Sequence, residues 1–187
     1  MCGGINFWTN YRDDIVMKVY IAGKVSNNSI FGRHDWRDDF CAELEQLSGL
    51  KLESLDPLKI EVDGMKVEDI FAKDCYLISQ SDVVVVHLSD DISVGGSQEI
   101  LFAKYFKKPV IGLAPRGGKF NGSSRKIAGR MVNDYHDPFV FATCDVVCDD
   151  VKAVAEQLII VNKGDFETKT LDIIEREAKR FEKGLQK

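Results

Sequence analysis

Ser81-Asp-Val-Val-Val-Val-His-Leu-Ser-Asp-Asp-Ile-Ser-Val-Gly-Gly-Ser-Gln-Glu99 is the stretch of this 187-residue chain that decides its fold. Val83 to Val86 form an unbroken β-branched run between polar residues. Such a run reads as a strand buried on both faces. Gly95 and Gly96 follow, and then a helix-forming stretch, so Glu99 is expected in the first turn of a helix just past the strand's carboxyl end. In open α/β sheets that edge is where ligands bind.

Outward from this segment, strands and helices alternate. Lys18 to Gly23 reads as a short strand closed by glycine. A polar loop leads to a helix capped by His34 or Asp35 and running to Ser48, with Trp36, Phe40, Leu44 and Leu47 at helical spacing. Lys51 to Leu55 reads as a strand ended by Asp56-Pro57, then Glu68 to Ser79 as a helix. The strand Val83 to Leu88 and the helix Ser97 to Phe106 lead to a strand at Val110 to Leu113. Ala114 to Arg125 reads as a loop, Ile127 to Val132 as a short helix, and Phe139 to Phe141 and Asp145 to Cys148 as strand-like. Val151 to Val161 is helical in pattern, and 164–187 reads as an amphipathic helix with a stripe of Phe166, Leu171, Ile174, Ala178, Phe181 and Leu185. Residues 1–16 carry no clear period and are expected to be a peripheral extension of a single domain spanning 1–187. Alternation of this kind implies a parallel sheet with right-handed crossovers.

Composition narrows the function. The net charge of −5 argues against a nucleic-acid polymer or an anionic membrane as partner. No apolar stretch approaches the roughly 20 residues needed to span a bilayer. The N-terminus lacks a signal peptide's basic and apolar regions, so a cytoplasmic protein is expected. Cys2, Cys41, Cys75, Cys144 and Cys148 make no CxxC and no paired framework, and Cys41 and Cys75 fall on apolar helix positions, as buried free thiols would.

Among candidate chemical groups Glu99 stands first. A carboxylate can attack an anomeric carbon and hold a covalent glycosyl intermediate, and helix N-terminal N–H groups would keep it ionised. Gly95 and Gly96 would admit a sugar or phosphate close to the backbone. A Glu three residues after a cap is equally a capping-box partner. Asp74 falls on the helix face of Ile70 and Phe71, where a buried acid with a raised pKa or a half-exposed edge residue both fit. Asp82 suits a structural turn, Asp90 and Asp91 suit solvated loop acids, and His87 suits the core. The basic loop Arg116 to Arg125 lacks the P-loop pattern, no GxGxxG follows the first strand, and no metal motif appears, so neither cofactor nor metal is expected.

Four blocks together resemble the nucleoside 2-deoxyribosyltransferase superfamily, which includes the 2′-deoxynucleoside 5′-monophosphate N-glycosidases. They are Val19-Tyr20-Ile21-Ala22-Gly23, Asp74 ahead of Asp82, the strand Ser81 to Val86, and Ser93-x-Gly95-x-x-x-Glu99, followed by Lys108-Pro109-Val110-Ile111. The resemblance covers 18–113. It implies Glu99 as nucleophile, Asp74 as the acid or orienter of the leaving base, and Tyr20 as a neighbour of Glu99. Transferases of the family carry an acid where Ser93 stands; a serine is similar to the nucleotide-hydrolysing branch, where it meets the 5′-phosphate. Gly23, Lys24, Ser26, Gly95 and Gly96 would suit that phosphate and its sugar. The tail beyond Lys163 has no counterpart in the resemblance.

The expected protein is therefore a flavodoxin-like open parallel sheet of about five strands with helices on both faces. It would cleave the N-glycosidic bond of a nucleoside or its monophosphate, by hydrolysis or base exchange, and the resemblance implies a homodimer or larger homo-oligomer. Two rivals stand beside it. A cytokinin-type phosphoribohydrolase would need GGxGTxxE, which Gly95-Gly96-Ser97-Gln98-Glu99 lacks. A nucleotide-binding sensor or scaffold would keep the fold without turnover.

Overall fold

The computed structural model describes residues 16–24, 36–60, 64, 66–89 and 91–185. The N-terminal extension, Cys2, Ser26, His34 and Asp90 lie outside them. Seven strands and six α-helices form among the described residues: β1 (Met17–Ala22), α1 (Trp36–Ser48), β2 (Leu52–Ser54), α2 (Val67–Gln80), β3 (Val83–His87), α3 (Val94–Tyr105), β4 (Val110–Leu113), β5 (Asn121–Ile127), β6 (Arg130–His136), α4 (Pro138–Thr143), β7 (Val146–Cys148), α5 (Val151–Lys163) and α6 (Asp172–Leu185). Five strands make one sheet in the order β2-β1-β3-β4-β7, and every pairing is parallel.

All five residues of β3 are buried, as the valine run requires of a strand covered on both faces. Side chains alternate across β1: Val19 and Ile21 join Val83 and Val85 against α1 and α5, while Tyr20 and Ala22 join Val84 and Val86 against α2 and α3. Burial of each valine contributes on the order of 1.5–3 kcal/mol. The chain leaves β1 toward β2 on one side and reaches β3 on the other, so the strand order reverses between β1 and β3. A crevice opens at such a reversal, beyond the carboxyl ends of the strands.

Several local readings change. Helix α3 begins at Val94, with Ser93 as its cap: Ser93 Oγ accepts from Gly96 N at 3.0 Å. Gly95 and Gly96 thus lie inside the helix, and Glu99 sits in its second turn. The capping-box reading of Glu99 falls with that register, and so does the idea that free N–H groups of the first turn keep it ionised. The segment read as a loop and short helix is a β-hairpin, β5 antiparallel to β6, turning at Ala128 (φ 47°) and Gly129 (φ 83°). Two residues at positive φ are what a tight hairpin turn demands. Phe139 to Phe141 lie in α4, capped by Asp137, and β7 is the strand that joins the sheet. The C-terminal helix starts only at Asp172; Phe166 precedes it and packs on the core.

A buried ion pair fastens the far end of the sheet. Asp145 accepts from Lys104 Nζ and from Val110 N on one oxygen, and from Lys169 N on the other. Lys169 Nζ donates in turn to the carbonyls of Phe141, Ala142 and Cys144, tying the segment before α6 to α4. No described helix is long and apolar enough to cross a membrane.

Candidate active site

Tyr20, on the α2–α3 face of β1, is 1% exposed, and its hydroxyl donates to the Glu99 carboxylate. Glu99 is 9% exposed and reaches back along α3 toward its own N-terminus, as helical side chains do. A methyl placed on Gly95 would lie 3.8 Å from Glu99 Oε1 and 3.8 Å from Ser93 Oγ. The carboxylate, the glycine and the cap hydroxyl therefore share one corner. Asp74 approaches from α2, half-buried, close enough for its charge to act on both Glu99 and Tyr20.

This arrangement sets the protonation. Burial, then the charge of Asp74, pushes the Glu99 carboxyl up to about 7, against the pull of the Tyr20 hydrogen bond and the Arg37 charge. Burial also raises Asp74, opposed by Lys73 and Arg37. Burial and the two acids raise the Tyr20 hydroxyl, so it stays a donor. Two carboxyl groups near one another and both shifted upward can divide a single proton between nucleophile and acid roles.

Sequence reasoning missed Arg37. Its side chain lies among the buried residues of α1, 2% exposed, and its Nε and Nη2 each donate at 3.0 Å to the carbonyls of Ile21 and Gly23 at the end of β1. The guanidinium lies over the Trp36 ring at 4.6 Å, and Nη1 meets no acceptor among the described residues. The signal was present: Arg37, Phe40, Cys41 and Leu44 share one helical stripe, and a charge in that slot is a buried charge.

The remaining sequence candidates divide. Ser93 and Gly95 stand beside Glu99, but Gly96 is a glycine for packing: a Cβ there would come within 3.0 Å of Ile92. Gly23 is likewise required by the Trp36 ring, 2.8 Å from where its Cβ would be. Lys24 acts on Asp91, which also pairs with Lys119 at 2.5 Å, so the basic loop after β4 reaches the loop that opens α3. Arg116 is engaged by Asp134 and Asp149. Asp82 accepts from Lys18 N at 2.7 Å, a structural role. His87 is wedged edge-on between Trp36 and Phe40, with burial lowering it to about 4, and is a core residue. Cys41, Cys144 and Cys148 are buried thiols, whereas Cys75 is only half-buried. No cluster of potential metal ligands exists among the described residues. A cavity of about 610 Å³ lies at the opposite, amino edge of the sheet, lined by Met17, Asp82 and Pro109, away from these groups.

No family model matches the chain. No curated protein sequence matches it either. Solved structures do share its fold. A conserved protein from Enterococcus faecalis V583 superposes with a TM-score of 0.53 at 18% identity, covering 77% of this chain and 98% of that one. A 2-desoxiribosyltransferase from Leishmania mexicana superposes with a TM-score of 0.54 at 16% identity, covering 76% and 97%. A CMP N-glycosidase from Clostridium botulinum is more distant, with a TM-score of 0.41 at 13% identity over 75% and 97%. What the first two have in common with this chain is the fold.

Proposed function

We propose that this protein cleaves the N-glycosidic bond of a nucleoside or nucleoside 5′-monophosphate through a covalent glycosyl-Glu99 intermediate. One observation carries the reading: a buried carboxylate held by Tyr20, with a second acid beside it, at the edge of the sheet where the strand order reverses. The fold shared with a protein named as a 2-desoxiribosyltransferase supports it.

In this reading Glu99 attacks C1′ as the C1′–N bond breaks, and the bonding pair leaves with the base. Asp74 gives the base a proton. Water or a second base then attacks C1′ from the vacated side and gives its proton to the Asp74 carboxylate, as the C1′–O bond to Glu99 breaks and its electron pair returns to the Glu99 carboxylate. Tyr20 orients the carboxylate by its hydrogen bond. A carboxyl near 7 is half ionised at neutral pH and more basic than a free one, which favours bond formation to carbon. Ser93, Lys24 and Ser26 would receive the 5′-phosphate, with Gly95, beside Glu99, leaving room for the sugar. No organic cofactor or metal enters these steps.

Two copies are expected to assemble. Val67, Phe71, Val94 and Tyr105 on α2 and α3 are between 59% and 80% exposed, an apolar face on the helices that carry both acids. That face, rather than α6 alone, is where a second copy would bury apolar area.

The test is base release from a panel of nucleosides and monophosphates, with wild type against Glu99→Ala. The expected result is release by wild type and a loss of at least about 1000-fold in a folded variant. Binding without release would favour the sensor reading; near-normal turnover by Glu99→Ala would remove Glu99 from the mechanism.

A further inference from the structure

Arg37 is explained neither by packing nor by the proposed steps. Two carbonyls would be satisfied by neutral donors, yet the chain places there a permanently charged guanidinium, 2% exposed. No carboxylate touches it among the described residues, and Nη1 is left over. A buried charge without a direct partner is costly. Its field, however, reaches Glu99, Asp74 and Tyr20 together.

The backbone makes the link mechanical as well. Ile21 follows Tyr20 on β1 and Gly23 lies just past the strand's end, and Tyr20 is the residue that holds Glu99. Arg37 grips the strand immediately beyond the site, from the helix on the other face of the sheet. Among the described residues the groups that act on Glu99 are Tyr20 of β1, Asp74 of α2 and, from the other face of the sheet, Arg37 of α1, the one cation of the three.

We propose that Arg37 is the positioning residue of this site: it fixes the end of β1 so that Tyr20 stays on Glu99, and it supplies the positive charge that balances the Glu99–Asp74 acid pair. This rests on Glu99 being the nucleophile of a glycosidic cleavage. Arg37 does not touch the reacting atoms; it keeps the carboxylate aimed, and ionised to a lower pH than the two acids would otherwise allow.

The test separates charge from grip. Full-length wild type, Arg37→Met and Arg37→Lys are labelled with ¹³C at glutamate side chains, and the Glu99 signal is assigned by its loss in Glu99→Gln. The Glu99 titration and the rate of base release are followed over the same pH range. In Arg37→Met the Glu99 midpoint is expected to rise by at least about half a pH unit. The acid limb of kcat moves with it, and KM changes by less than about threefold. In Arg37→Lys the midpoint stays near wild type, while kcat falls about tenfold because a single ammonium cannot reproduce the planar fork on two carbonyls. An unchanged midpoint in Arg37→Met overturns the proposal, as does an effect confined to KM. Should Arg37→Met fail to fold, Arg37→Lys decides alone, and a wild-type kcat there overturns it. If wild type releases no base from any substrate, the glycosidase reading fails, whereas the Glu99 midpoints still decide whether Arg37 balances the acids.

Discussion

Two buried charged clusters sit at opposite ends of the same sheet. At the amino edge, Asp145 pairs with Lys104, and its remaining lone pairs take the N–H groups of Val110 and Lys169. At the carboxyl edge, Glu99 has one phenol donor, a second acid nearby, and a guanidinium that spends its bonds on backbone carbonyls. Asp145, Lys104, Glu99, Tyr20 and Arg37 are nearly excluded from water, while Asp74 is half-buried. The first is satisfied and holds α3, β4, β7 and the C-terminal segment together. The second leaves an acid with a raised pKa and an unused nitrogen, a configuration that costs stability and suits a reacting group.

The contrast can be broken by removing Asp145. Asp145→Ala leaves Lys104 buried without its partner and is expected to cost about 3–5 kcal/mol, a large share of the stability of a domain this size. Denaturant unfolding measures it. A loss below about 1 kcal/mol would mean that the amino-edge pair is no more structural than a surface bridge.

Glutamate 99 sharpens the contrast through pH. Its carboxyl moves from an ordinary 4.5 to about 7 on folding. Between those values the folded chain holds the proton more tightly than the unfolded chain. The stability due to this group is thus full below about pH 4.5 and declines as pH rises through 7, by about 3 kcal/mol in all. Unfolding free energies of wild type and Glu99→Gln should converge at low pH, separate between about pH 4.5 and 7, and stay apart above that. Parallel curves across that window would put Glu99 in water rather than in the sheet.

Smaller effects lie at the rim. Ser93→Ala removes a helix cap worth about 1 kcal/mol. If Ser93 also meets a 5′-phosphate, kcat/KM should fall about tenfold for monophosphates and little for nucleosides. An equal fall for both would leave Ser93 as a cap alone. For assembly, light scattering at micromolar concentration should show at least twice the 21.0 kDa chain mass. Phe71→Asp, on the exposed α2 face, should halve the mass; an unchanged mass would move the interface elsewhere.

How much of this was legible in the sequence follows from period. The valine run, the Trp36–Leu44 stripe and the alternation of elements carried the five-strand sheet, and the position of Glu99 after β3 put it at the carboxyl edge of that sheet. The hairpin was not legible, because β5 and β6 expose polar residues on both faces and so lack an alternating pattern; Ile127 to Val132 flank a turn, which mimicked a helical cluster. The start of α3 was displaced because Gly95 and Gly96 look like loop residues until Ser93 is seen to cap them. On α2, Ile70 and Phe71 looked like core but face outward, 46% and 59% exposed, since only Leu77 and Ile78 reach the sheet. The charge balance at Glu99 was invisible because Arg37 and Asp74 reach it from helices on opposite faces, a relation only the sheet creates.

If the carboxyl-edge cluster trades stability for chemistry, one variant shows both halves. Glu99→Gln keeps the side chain's shape and removes its charge. At about pH 8 it is expected to unfold about 2–3 kcal/mol less readily than wild type. It is also expected to release base at least about 1000-fold more slowly. A variant that is less stable than wild type at that pH, or that turns over near-normally, would contradict the account.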